Sequence, residues 1–413
     1  MRRFRPALTA AASAVAVAAG ALTGMAPAVQ AAPDPVVDAL VTKRLDNPRL
    51  GPNVAVLAVD AATGEVLSDH GSDRSMRPAS NMKIVTAVTA LAALGPDTRF
   101  VTRVRAGATP SDIVLEGGGD PLLSTTDLRK LANRTAKALP AGVPVVVHVD
   151  DDLFPDTGRG PGWTGSYIPS VAASVEALAR VWDYSRDPSA NAAAVFVKRL
   201  NAKGVPATLG ADADAGDAPV LAETDGRTVA DAVRVMLRVS ENNVAEVLYR
   251  HVARATGRTA DWSGAQAAAE DVLRSLGVDP TGMALLDGSG LSRKDRVTPR
   301  FLIDVLRLAR VTDPARFAVM FEDEAMPVAG RSGTLDDRYG RFVTRQSRCA
   351  AGDVRAKTGT LFDTVGLSGV ATTSTGRERV FSILVNDRPQ RFSTLSTRQA
   401  VDGLAATIAG CWD

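Results

Sequence analysis

Ser80 and Lys83 are the two residues of this 413-residue chain whose types and spacing could do chemistry together. They stand in Pro78-Ala79-Ser80-Asn81-Met82-Lys83. The run behind them, Ile84-Val85-Thr86-Ala87-Val88 on to Leu91 and Leu94, repeats apolar residues at helical spacing. Proline is tolerated at a helix entry and not inside, so the spacing predicts a helix from near Ser80. Positions i and i+3 share one face of its first turn, where free N–H groups and the positive end of the helix dipole also lie. A serine hydroxyl is a weak nucleophile until a base sits within hydrogen-bond reach. Lysine is that base only if its ammonium is disfavoured by burial, by a neighbouring cation or by the helix N-terminus. From a free pKa of about 10.4, neutrality near pH 7 costs roughly three units, on the order of 4 kcal/mol. The plainer alternative is a Ser80 that caps the helix beside a solvated Lys83. Of the eight lysines, Lys83 alone has a serine three residues before it.

Two further groupings follow in order. Val229 to Val239 and Ala245 to Ala253 show helical spacing, and Ser240-Glu241-Asn242-Asn243 interrupts them, so Ser240 and Asn242 project from a helix–helix junction. Val354 to Leu361 reads as a strand carrying Lys357-Thr358-Gly359-Thr360. Ser189-Ala190-Asn191 offers the same Ser-x-Asn spacing as Ser240-Glu241-Asn242, at a helix start after Pro188. The junction is the preferred site.

The elements that must position these residues are legible in outline. Residues 53–59 read as a strand, Asp60 to Gly64 as a turn, and Glu65-Val66-Leu67 as the returning strand. From about Phe100 the pattern changes to short strands and glycine-bearing loops, with a β-rich run at Val143 to Val149 and helical spacing from Asp187 to Leu200. The polar, low-complexity stretch from Ala211 to Asp217 reads as a boundary. We therefore expect a main domain from 32–100 and 220–413, with an inserted module at 101–219. Thr298-Pro299 opens another helix, threonine as N-cap and proline at its first position. Strands at Val365 to Ala371 and Val380 to Val385, and a helix from about Thr397 to Ile408, complete a sheet with helices on either face.

Arg2, Arg3 and Arg5 precede an alanine-rich apolar run, and Val29-Gln30-Ala31 fits a cleavage site, so residues 1–31 read as a signal peptide. An uncleaved anchor and a twin-arginine signal are the alternatives. Its removal takes the formal net charge from +2 to −1. With no basic stripe, nucleic acid is excluded as a partner. Cys349 and Cys411 form an even pair in an exported chain, which points to a disulfide, with two separate buried thiols as the alternative. His70, His148 and His251 are isolated and there is no H-E-x-x-H, so neither a metal nor another cofactor is expected.

The ordered set S-x-x-K, S-x-N, K-T-G is that of penicillin-recognising serine enzymes. Together with Gly117-Gly118-Gly119-Asp120-Pro121, Gly162-Trp163, Asp287-Gly288-Ser289-Gly290-Leu291-Ser292-Arg293, Ser332-Gly333-Thr334-Leu335 and Arg355-Ala356-Lys357-Thr358-Gly359-Thr360-Leu361, it covers nearly all of the mature chain. In these motifs the chain resembles the D-alanyl-D-alanine carboxypeptidase/endopeptidase family of class C low-molecular-mass penicillin-binding proteins. The resemblance implies an α+β, transpeptidase/β-lactamase-like domain: a five-stranded antiparallel sheet between helices, with a β-rich insertion after the Ser80 helix. It implies peptidoglycan stem peptides as substrate and β-lactam antibiotics as covalent inhibitors. Ser80 would form the acyl-enzyme, Lys83 take its proton, Ser240 relay a proton to the leaving D-alanine and Asn242 bond the substrate amide. Lys357 would lower the pKa of Lys83 and attract the substrate carboxylate, which Thr358 and Thr360 would bond. The N–H groups of Ser80 and Thr360 would form the oxyanion hole. Two features depart from the family pattern. Glu241 replaces the usual aspartate or asparagine, and the 160-residue interval from Ser80 to Ser240 is short enough for a second inserted module to be reduced or missing.

Two other functions compete on the same fold. A β-lactamase would carry a glutamate for its deacylating water in an E-x-x-L-N context, which is absent. A non-catalytic cell-wall binding protein would need none of Ser80, Lys83, Ser240 and Lys357.

Overall fold

The strand expected at 53–59 forms as Val54–Asp60, and its neighbour on one side comes from the far end of the chain. It pairs antiparallel with Glu378–Val385, from Val54 opposite Val385 to Asp60 opposite Arg379. The computed structural model describes residues 33–140 and 142–411; the expected leader lies outside them. The five strands run in the order Val354–Leu361, Thr364–Thr372, Glu378–Val385, Val54–Asp60, Val66–His70, all antiparallel. Because both faces are covered, the strands read as nearly unbroken apolar runs rather than alternating ones. Val56, Ala58, Leu367, Phe381 and Ile383 pack under the helices Pro35–Leu45 and Thr394–Ile408. Ala55, Leu57, Val59, Val380 and Leu384 face the larger core with the helices Met82–Leu94, Val229–Val239, Asn242–Ala255, Trp262–Ser275 and Pro299–Arg307. Met82–Leu94 is buried on every side from Met82 to Leu91, as expected of a helix that is apolar all round.

The chain leaves and re-enters this body through a two-stranded ribbon, Arg99–Phe100 with Arg227–Thr228. Between them lies a second sheet in the order Ala207–Leu209, Val145–Asp150, Asp112–Glu116, Arg103–Ala106, Val220–Glu223. Its last strand begins just past the boundary expected at 219, because residues 220–223 pair back onto Arg103–Arg105. The sheet is mixed. Asp112–Glu116, Val145–Asp150 and Ala207–Leu209 are parallel neighbours, and parallel pairing needs a crossover element. The helices Thr125–Ala138 and Pro188–Asn201 supply the two crossovers. The first was not anticipated, although Ser124 and Asp127 form the capping box that marks its start. Between Ser80 and Ser240 the described residues contain this one five-stranded sheet.

Cys349 and Cys411 are joined, with Cα atoms 6.2 Å apart and a sequence separation of 62. The bridge ties the turn before Val354–Leu361 to the end of the last helix. In the chain-entropy account a loop of this length is worth roughly 4 kcal/mol. Counting thiols under denaturing, non-reducing conditions is expected to find none, and reduction is expected to lower the melting temperature. Two reactive thiols would contradict the bridge. Among the described residues, no helix is long and apolar enough to cross a membrane.

Candidate active site

Ala79–Asn81 form a single 3-10 turn, and the α-helix proper starts at Met82. Ser80 therefore does not cap the helix: the N-cap is Asn81, with no side-chain cap bond, and the Ser80 hydroxyl is left for Lys83. Ala79, just before Ser80, holds φ +47°, a left-handed conformation that costs energy for a residue with a Cβ. The Asn81 amide donates to Pro78 O at 3.0 Å from inside the core. Val354–Leu361 runs directly against this turn. A Cβ on Gly359 would lie 2.5 Å from Asn81 Nδ2 and 2.8 Å from Pro78 O, so only glycine lets the strand lie this close.

Lys83 is fully buried. Its Nζ lies 2.7 Å from Ser289 O, 2.8 Å from Asn242 Oδ1 and 3.2 Å from Ser80 Oγ. A neutral amine has two N–H groups and one lone pair, so the two obligate acceptors leave the lone pair facing the Ser80 hydroxyl. Burial pushes Lys83 down to about 8, against the pull of Glu246, Glu241 and Asp287. Burial is the first of the causes expected from the sequence; the contribution that the resemblance assigns to Lys357 is not among those acting on Lys83. The mutual repulsion shows at Lys357 instead, whose ammonium is pushed well below its ordinary range by burial and then by the charge of Lys83.

Ser240 ends the helix Val229–Val239 in the left-handed conformation, φ +62°. Glu241 caps the next helix by accepting from Val244 N at 2.6 Å, and it also accepts the Tyr184 hydroxyl at 2.8 Å. Its extra methylene leaves the junction intact. Lys357, buried on the edge strand, donates to Ser240 Oγ at 2.8 Å and to Thr358 O at 2.8 Å. Asn242 is engaged at both ends, since its Nδ2 donates to Val171 O of the inserted segment at 2.8 Å. The amide expected to meet substrate thus already joins the insert to the lysine. The rival pair lies elsewhere: Ser189 bonds Asp151 and Leu178 O, and Asn191 bonds Asp183 and Ser185.

A cavity of about 980 Å³ brings Ser80, Ser240, Asn242, Thr358 and Thr360 together. Thr358 Oγ1 is 2.8 Å from Thr334 Oγ1. Thr360 Oγ1 donates to Gly359 O at 2.7 Å and receives Nε and Nη2 of Arg398 at 3.2 and 3.1 Å. The side chains lining the cavity include Arg293, Arg338, Arg341 and Arg398 and no carboxylate.

Behind this surface lie Glu246, which the sequence analysis does not name, and Asp287, which it quotes in a motif without a role. Glu246, fully buried, accepts Gly288 N at 3.0 Å and Ser289 N at 2.8 Å. Asp287 accepts Gly290 N, Ser292 N and Trp163 Nε1, each at 2.7 Å. Together they fix the loop whose Ser289 carbonyl meets Lys83. Burial and the Asp287 charge push Glu246 up to about 8. Glu246 was within reach of the sequence, lying one turn beyond Asn242 on the same helix face. Arg398 was not, because nothing local ties it to Thr360.

The model of the D-Ala-D-Ala carboxypeptidase 3 (S13) family matches residues 37–179 and 164–408. Carboxypeptidase DacB of Mycolicibacterium smegmatis is 32% identical over 94% of this chain and 87% of its own length. A D-alanyl-D-alanine carboxypeptidase of an Actinomadura species is 29% identical over 89% of this chain and 84% of its own. The crystal structure of penicillin binding protein 4 from Haemophilus influenzae superposes with a TM-score of 0.74 at 21% identity, covering 90% of this chain and 98% of that one. The same protein has been solved with a β-lactam bound.

Proposed function

This chain belongs to the D-Ala-D-Ala carboxypeptidase 3 (S13) family and is a serine-type D-Ala-D-Ala carboxypeptidase, and from that premise we propose how its residues act on peptidoglycan stem peptides. The observation that carries the reading is the buried Lys83 with Nζ 3.2 Å from Ser80 Oγ, its other two contacts being acceptors. Ser80 Oγ attacks the carbonyl carbon of the terminal D-alanyl-D-alanine amide while its proton passes to Nζ of Lys83. The carbonyl oxygen becomes an oxyanion held by the N–H groups of Ser80 and Thr360. Ser80 lies in the 3-10 turn that leads into the helix, where the leading N–H groups have no partner within the turn, and Thr360 lies on the edge strand of its sheet. A donor of this kind contributes about 3–4 kcal/mol.

Collapse of the intermediate breaks the C–N bond. The leaving nitrogen takes a proton through Ser240, whose oxygen already accepts from Lys357 and whose own O–H is free to donate. Water then hydrolyses the Ser80 ester and regenerates the hydroxyl. Burial and the Lys83 charge disfavour the charged form of Lys357, and a substrate carboxylate arriving beside it favours that form, so binding and charge are coupled.

The work is done outside the cytoplasm, where the Cys349–Cys411 bridge persists and to which the leader pattern of residues 1–31 directs the chain. Cross-linked stem peptides fit the same cleft, because their scissile bond also joins D-alanine to a residue with a carboxylate.

Benzylpenicillin is expected to acylate Ser80 and remain for many minutes, while D-alanine is released from a pentapeptide through many turnovers. The penicilloyl ester keeps its thiazolidine ring where water must approach, whereas D-alanine departs. Mass spectrometry of the labelled protein and of muropeptide products measures both. Rapid multiple-turnover hydrolysis of penicillin without D-alanine release would replace this reading by a β-lactamase, and no adduct would leave a binding protein.

A further inference from the structure

We infer that Arg398 is a second cation for the terminal carboxylate of the substrate, acting beside Lys357 and setting the preference for a free C-terminus. The inference rests on the proposed Ser80 reaction. Arg398 lies near the start of the helix Thr394–Ile408, half-buried at the wall of the catalytic cavity. Its Nε and Nη2 both go to the Thr360 hydroxyl, while Nη1 makes no hydrogen bond among the described residues. Nor does it have an ion-pair partner among them. The nearest candidate, Asp402, is taken by Arg341 through Nε at 3.0 and 3.2 Å and by Phe342 N at 3.1 Å. Arg388 is spent on Phe362 O, Phe392 O and Thr394 Oγ1. Three guanidinium groups therefore share one carboxylate.

A half-buried guanidinium whose neighbouring carboxylate is bonded to another arginine is costly to keep, and an anion entering the cavity relieves the cost. The position of Arg398 selects which anion. It grips Thr360, whose N–H faces the scissile carbonyl in the proposed reaction, and the carboxylate of the leaving D-alanine is only three bonds from that carbon. The Thr360 hydroxyl cannot be the main donor, because its hydrogen goes to Gly359 O. The guanidinium fork supplies the donor the hydroxyl lacks, in a geometry suited to a carboxylate.

Ser80 acylation by benzylpenicillin and by its methyl ester, followed by intact-mass spectrometry, tests this in the wild type, Arg398→Gln and Arg398→Lys. The wild type should favour the acid. Arg398→Gln should lose on the order of 30- to 100-fold on the acid and little on the ester, and Arg398→Lys should recover part. An unchanged acid-to-ester ratio, or equal losses on both compounds, would overturn the inference. Absence of labelling of the wild type by either compound would instead remove the Ser80 reading. Melting curves accompany each variant. Should Arg398→Gln not fold, phenylglyoxal modification of the wild type decides. An acyl-D-Ala-D-Ala acid should protect Arg398 in peptide mapping and the corresponding amide should not, and equal protection would overturn the inference.

Discussion

Replacing Ser80 by alanine is expected to abolish covalent labelling by penicillin and to lower D-alanine release on the order of 10⁴-fold or more, the loss typical when a nucleophile is removed from a concerted set. The fold should survive. Read from the sequence, the change would cost about 1 kcal/mol of helix capping. The structure removes that term, since the helix starts at Met82 and Ser80 makes no cap bond. What is lost is one hydrogen-bond partner of Lys83, which keeps Asn242 and Ser289. The decisive measurement is peptide mapping of the penicilloyl adduct alongside a melting curve. An adduct on the alanine variant, or on another residue of the wild type, would remove Ser80 from its role.

Lys83→Met keeps the length of the buried side chain and removes the amine. Acylation is expected to fall by roughly 10²- to 10⁴-fold for loss of a general base, with penicillin and peptide affected alike. In the wild type, acylation should rise with pH and reach half its limit near 8, because only the neutral amine accepts the serine proton. The same shift has a sign for stability. The folded pKa lies below the unfolded value of 10.5, so between about 8 and 10.5 the unfolded chain binds more protons than the folded one. Stability from this group therefore rises with pH across that window and is absent below it, where the buried ammonium carries its full desolvation cost. Denaturant titrations of wild type and Lys83→Met at both ends of the window isolate the term. An acylation rate flat from pH 6.5 to 9 would exclude Lys83 as the base.

Local pattern was enough for much of this protein. The apolar runs at 54–60, 354–361, 364–372 and 378–385, with the turn residues between them, fix strands whatever they pair with. Thr298 and Pro299 start their helix by satisfying its own first turn, which is a property of adjacent residues. Ser80, Lys83, Ser240 and Lys357 could be named because each motif is short and their order is informative.

Other features depend on what lies across space. The sequence offered two Ser-x-Asn pairs, and only packing places Ser240 against Lys357 and Asn242 against Lys83. Helix 125–138 carries a local start signal in Ser124 and Asp127, but its role, crossing between parallel strands, exists only once Asp112–Glu116 and Val145–Asp150 are neighbours. The basicity of Lys83 is set by the removal of water on all sides, a sum over the helices and sheet around it rather than a property of its neighbours in sequence. Arg398 reaches Thr360 from 38 residues away, and its lack of a carboxylate follows from Asp402 being claimed by Arg341. Charge pairing is a competition among groups brought together by the fold, so its outcome belongs to the tertiary structure alone.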